Sequence, residues 1–106
     1  MIHVIATIDL RAGTRDAFLR EFAKLVPDVR AERGCLEYGG GVDHSTRADG
    51  QVPVRENVVT VVEKWESPSA LAAHLVAPHM EAYRERVRDY IIGLKLQILD
   101  PAGEPA

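Results

Sequence analysis

The chain has 106 residues, 46% hydrophobic and 27% charged, the make-up of one ordinary globular domain with no room for a second core. A net charge of -3, with 13 basic residues scattered along the chain, argues against nucleic-acid binding, which needs clustered Lys and Arg. No apolar run has membrane-span length, no basic n-region marks the start, and the single Cys35 excludes an internal disulfide, so a reducing cytoplasm is the expected setting.

In residues 2–10, Ile2, Val4, Ala6, Ile8 and Leu10 alternate with His3, Thr7 and Asp9, the period-2 pattern of a half-buried strand. Ala12-Gly13-Thr14 breaks it, and Thr14 can cap a helix with Asp16 in its first turn. Phe18, Phe22, Leu25 and Val29 then recur at helical spacing. An amphipathic helix of roughly 18 residues is expected there, closed by Gly34 and kinked or interrupted at Pro27. Residues 35–43 read as a second strand, which Gly39-Gly40-Gly41 should weaken or bulge. The polar stretch 44–56 is long enough for a mobile loop.

Residues 56–66, rich in β-branched side chains, carry the clearest strand signal. Ser67-Pro68 caps and opens a short helix ending near Leu75. Pro78 restarts a helix with Met80, Tyr83 and Val87 on one face, and IIGLKLQIL forms a last strand. The order β-α-β-β-α-β, its second helix split, predicts a ferredoxin-like α+β fold, an antiparallel sheet with helices on one face. One domain spans 1–100, followed by a polar tail at 101–106. The strands are apolar on much of both faces, notably at Val58-Val59 and Val61-Val62, so a homodimer covering the bare face is expected.

The unusual side chains crowd into 63–83, EKWESPSALAAHLVAPHMEAY, with the only Trp and two of the four His. Glu63 and Trp65 leave the same strand face as Val59 and Val61. Trp65 can be a large core residue or line an apolar pocket, and a carboxylate on such a face needs a partner, an Arg or a helix N-terminus, if it has no other role. His79 opens a helix, where the dipole favours the neutral ring, and can accept a proton or simply cap; His74 ends the preceding helix. Their spacing across Pro78 matches no standard metal motif, so no metal is expected.

Tyr83 lies one turn beyond His79, and Tyr38 sits on the second strand; either can bind a substrate oxygen or pack with its hydroxyl at the rim. The glycine run precedes no helix and is no phosphate cradle, and Cys35 has no adjacent base to activate it. Glu81, Arg84, Glu85 and Arg88 read as a solvated helix face.

The run E-x-W-E-S, then A-L, H-L, P-H-M and a Tyr resembles the signature of the antibiotic biosynthesis monooxygenase superfamily, and FAKLVPDVRAERGC with Val42-Asp43 resembles its bacterial quinol monooxygenase branch. The resemblance covers almost the whole chain. It implies a homodimeric ferredoxin-like α+β barrel that oxidises quinols or polyphenols with O₂ and carries no metal, flavin or haem. In that reading Trp65 stacks on the substrate ring and His74 or His79 takes its proton. Glu63 orients or balances the imidazolium, and Tyr83 bonds a ring oxygen, with Tyr38 and Thr7 as further substrate contacts.

Haem-degrading relatives in the same superfamily use an Asn and a His where this chain has Thr7 and Tyr83. A related isomerase of a phosphorylated sugar derivative shares the H…PH pattern, but Trp65-Glu66-Ser67 favours the quinol branch. A ligand-binding module of the same barrel fold is the non-enzyme alternative; convergence of Glu63, His74 and His79 on one cavity would favour the enzyme.

Overall fold

A computed structural model describes residues 1–103; the end of the expected polar tail, 104–106, lies outside them. The elements are β1 (Ile2–Leu10), α1 (Arg15–Arg30), β2 (Cys35–Gly41), β3 (Val58–Trp65), α2 (Pro68–Leu75), α3 (Pro78–Val87) and β4 (Ile91–Leu99), with a 3-10 turn at Arg88–Tyr90. The four strands form one antiparallel sheet in the order β2-β3-β1-β4, the α+β arrangement expected from the chain order.

Cross-strand partners share a face. Ile2, Val4, Ala6 and Ile8 stand opposite Trp65, Glu63, Val61 and Val59, and Tyr38 stands opposite Glu63 from the other side. This face meets the α1 stripe of Phe18, Phe22, Leu25 and Val29 and the α3 stripe of Met80, Tyr83 and Val87, all buried. Phe18, Val29, Val59 and Val87 have no exposed surface. Each such side chain contributes about 1.5–3 kcal/mol by leaving water, which holds the helices on the sheet.

Several local expectations need correction. The first helix has 16 residues and runs unbroken through Pro27. Pro27 and Ala23 are both exposed, so the Ala23 carbonyl that proline leaves unpaired can be hydrated instead. Thr14 precedes the helix but its hydroxyl donates to the Arg11 carbonyl and makes no cap. The irregularity of β2 falls between Cys35 and Glu37, not at the glycines. Gly40 has a packing reason: a Cβ there would lie 2.9 Å from the Phe22 ring.

The bare face is more polar than expected. It presents His3, Ile5, Thr7 and Asp9 of β1 beside Val58, Thr60, Val62 and Lys64 of β3 and Lys95, Gln97 and Leu99 of β4, so polar and apolar side chains are mixed on it. Exposed apolar side chains concentrate on the edge strand β4 instead, at Ile92, Leu94, Leu96, Ile98 and Leu99. Leu94, Leu96 and Ile98 lie opposite Ile8, Ala6 and Val4 and so belong to the helix side of the sheet, where no helix covers them. The segment 42–57 holds no regular element, and its ends are tied by Asp43 and Arg55, with guanidinium to carboxylate contacts of 2.8 and 3.0 Å.

Candidate active site

A cavity of about 440 Å³ opens between α2, α3 and the β3-β1-β4 part of the sheet. That volume suits a small-molecule site. Ala6, Ile8, Val61, Met80, Val87 and Leu96 make it mostly apolar, while Tyr38, Glu63, His74 and Tyr83 supply the polar groups inside. Arg84 and Arg88, expected on a solvated helix face, also border it. No residue of 42–57 does. A larger depression of about 640 Å³ lies over β2, lined largely by that strand and carrying only Tyr38 of the expected site.

The polar groups are held from several elements. Glu63 and Trp65 are two apart on β3, and the Trp65 indole N–H donates to Glu63 Oε1 at 2.8 Å. Ser67 caps α2 by accepting from the Ala70 N–H, and one turn further the helix delivers His74 over the sheet, only 2% exposed. The His74 ring lies 4.5 Å from Trp65 and 5.6 Å from Tyr38, centroid to centroid. Its Nδ1 is 2.8 Å from Glu32 Oε2, and Nε2 of His79 is 2.7 Å from the same oxygen. His74 Nε2 lies 3.9 Å from Glu63 Oε1, beyond a hydrogen bond.

Glu32 sits in the turn that joins α1 to β2. Gly34 makes that turn possible, with φ +86 and a position where a Cβ would come within 2.6 Å of the Ala70 Cβ. The Gly34 carbonyl accepts from the Glu66 N–H at 2.8 Å, which ties the turn to the end of β3 and the start of α2.

Burial raises the Glu63 carboxyl above the ordinary carboxylate range; the Trp65 bond and His74 pull the other way, and Glu32 adds to the rise. Burial also raises Tyr38 and Tyr83 well above an ordinary phenol, so both hydroxyls stay protonated and can donate. Burial, with Glu32 and Glu63 adding, raises the Cys35 thiol, which keeps it out of its nucleophilic form.

Among the expected site residues, Glu63, His74, Tyr38 and Tyr83 border the cavity together. Trp65 does not: it is fully buried, and its ring packs against His74 rather than facing a space where a substrate could stack. Its strand parity is as expected, but the adjacent helix covers it. His79 also lies off the cavity, on the other side of Glu32, with its side chain 28% exposed. Thr7 is on the opposite face of the sheet, across from Thr60 and Lys95, because odd positions of β1 point away from the helices. The partner of buried Glu63 is an indole, not an Arg or a helix end. Glu32, absent from the sequence reading, links both histidines; in ERG it looks like any acid in a turn.

Glu32, His74 and His79 bring one carboxylate oxygen and two ring nitrogens within 4.8 Å of one another, a possible donor set for a divalent ion. The contacts to Oε2, at 2.7 and 2.8 Å, are hydrogen-bond lengths. Ligands placed tetrahedrally around an ion at ~2.0–2.1 Å would stand about 3.3–3.4 Å apart.

The sequence profile described as antibiotic biosynthesis monooxygenase matches residues 1–86. The chain is 41% identical over 103 residues to the probable quinol monooxygenase YgiN of Escherichia coli strain K12, covering 95% of this chain and 98% of that protein. Among solved structures it is similar to PA3566 from Pseudomonas aeruginosa, with TM-score 0.76, 27% identity and coverage of 96% of this chain and 94% of that one. It is also similar to Rv0793 from Mycobacterium tuberculosis, with TM-score 0.77, 26% identity and coverage of 99% and 98%. A fold, a cavity and a match that runs from β1 into α3 agree, and this chain belongs to the antibiotic biosynthesis monooxygenase family.

Proposed function

We propose that the chain is a cytoplasmic, cofactor-independent monooxygenase that oxidises quinols or polyphenolic aromatics with O₂. The observation that carries this reading is one mostly apolar cavity in which a buried histidine and a carboxylate meet two phenols that stay protonated. The similarity to a probable quinol monooxygenase supports the substrate class. The apolar walls take the aromatic ring, Tyr38 and Tyr83 donate to its oxygens, and His74, the histidine that borders the cavity, takes a phenolic proton. Glu63 favours the imidazolium that results.

The substrate supplies the electrons, so the reading needs no metal, flavin or haem. A deprotonated quinol is electron-rich enough to pass one electron to O₂. The radical pair then recombines at a ring carbon to a hydroperoxide, protonated from His74, that breaks its O–O bond and loses water to leave a hydroxylated quinone, or a second electron and the protons follow, leaving quinone and hydrogen peroxide. In the second branch the proton held by His74 returns to the reduced oxygen and resets the base. The mostly apolar lining disfavours water at the reacting atoms.

Oxygen uptake by metal-stripped protein, with a panel of reduced naphthoquinones and catechols, tests this reading. Uptake above autoxidation should persist with chelator and fall by about 10²–10⁴-fold in His74→Ala. No uptake with any of them would move the reading to the isomerase or ligand-binding alternatives.

The expected homodimer belongs to the same proposal. The surface favouring it is the apolar stripe of β4, an edge strand with unpaired backbone groups, rather than the mixed-polar bare face. Leu94 and Leu96 border the cavity, so a second copy on this stripe would also wall the site. Sedimentation of the chain and of Leu94→Asp/Leu96→Asp tests it: a dimer should become a monomer, and a monomeric parent chain would rule the pairing out.

A further inference from the structure

We infer that Glu32 is the positioning residue of this site: it holds His74 in the tautomer with the proton on Nδ1 and so leaves Nε2 as the base on the cavity side. The inference rests on the assignment of His74 as the base, and it adds a residue from a separate turn and a role for the second histidine.

A carboxylate oxygen only accepts, so the 2.8 Å contact requires the His74 proton to be on Nδ1. Nε2 then carries the lone pair, and it points toward Glu63 across 3.9 Å. The ring has little freedom to turn over, since it is 2% exposed and held between Trp65 and Tyr38. When Nε2 takes a phenolic proton, the ring becomes an imidazolium with both nitrogens protonated. The Glu32 carboxylate, its side chain only 12% exposed, is the charge already in contact with it. No proton needs to move onto Glu32, and the proton on Nε2 returns to the reduced oxygen.

His79 modulates this. Its Nε2–H donates to the same Oε2 at 2.7 Å, so the one oxygen divides its accepting capacity between two rings. Removing His79 leaves that capacity to His74 and makes His74 a stronger base. Removing the Glu32 charge makes it a weaker one. The other titratable groups near the ring or sharing its cavity are Glu63 from β3, Tyr38 from β2, Tyr83 and Arg84 from α3, and Arg88 just beyond it. Glu63→Gln is therefore the necessary control: it removes a charge on the Nε2 side and leaves the Nδ1 tautomer in place.

The test combines long-range ¹⁵N–¹H spectra of the histidine rings with the pH profile of kcat/KM for a reduced naphthoquinone. In the unmodified protein His74 should show the Nδ1–H tautomer, with His3 and His44 as references outside the site. Glu32→Ala should lose that tautomer, and Glu32→Gln, which keeps an acceptor oxygen but no charge, should move the rising limb of the profile to lower pH. His79→Ala should move it up, and Glu32→Asp should restore part of both properties. An Nε2–H tautomer in the unmodified protein overturns the inference without reference to any variant, as does a Glu32→Gln profile that stays in place. Failure of the unmodified protein to oxidise any quinol, with the Nδ1–H tautomer present, would instead overturn the quinol reading and leave the Glu32–His74 tautomer assignment standing.

Discussion

Trp65 and Glu63 are joined side chain to side chain, the indole N–H donating to Oε1 at 2.8 Å, and of the two places open to the only Trp of the chain, core or pocket wall, it takes the core. The indole stands behind the site. It satisfies one oxygen of a buried carboxylate and supports the His74 ring from behind.

Trp65→Phe keeps much of the packing and deletes the donor. A buried carboxylate left without it should cost about 1–3 kcal/mol. Denaturant unfolding measures that loss, and the double variant with Glu63→Leu, which removes the acceptor, should be non-additive because the two side chains form one unit. Additive effects would show that the bond contributes nothing.

Glu63→Gln separates stability from turnover. Burial raises the folded-state Glu63 above its unfolded value, so its contribution is present in full below the ordinary carboxylate range and is lost as pH rises through the raised folded value. The glutamine keeps an acceptor for Trp65 and cannot ionise. The melting temperature of the variant relative to the parent should therefore be flat in acid and climb across that window, while turnover falls. A difference independent of pH would mean that Glu63 carries no such shift.

Gly34→Ala should destabilise the chain by more than about 2 kcal/mol, since positive φ alone costs roughly 1–2 kcal/mol for alanine and the new methyl meets Ala70 as well. Gly50 has nearly the same φ, +85, with nothing within 4 Å of a built Cβ, so Gly50→Ala should show the conformational cost alone. Thermal melts compare the two. Because Glu32 lies two residues before Gly34, only the Gly34 variant should also reduce activity.

Tyr83→Phe removes a hydroxyl at the cavity and keeps the ring that packs edge-on to Phe18. Loss of one neutral hydrogen bond to substrate should lower kcat/KM by about 3–10-fold, equivalent to roughly 0.5–1.5 kcal/mol. The melting temperature should change little. Unchanged kinetics with every quinol tested would remove Tyr83 from the substrate contacts.

Much of this protein is visible in its sequence because the signals are local. The alternation in β1, the stripe Phe18, Phe22, Leu25 and Val29, and the Ser67-Pro68 start of α2 each follow from backbone periodicity or capping within a few residues. Strand parity likewise puts Glu63 and Trp65 on one face and pairs them. What parity does not say is how deep a side chain lies: the covering helix makes Trp65 core and leaves Glu63 at the cavity. His74 and His79 look alike in sequence, yet α2 turns one inward and α3 leaves the other outside.

Glu32 marks the boundary most clearly. It lies 42 residues from His74 and 47 from His79, in a turn whose course depends on the absence of a Cβ at Gly34 and on α2 packing against it. Local patterns determined the strands, the helices and the faces they present. Only tertiary packing decided which acid reaches which histidine, because that contact depends on the joint placement of three separate chain segments.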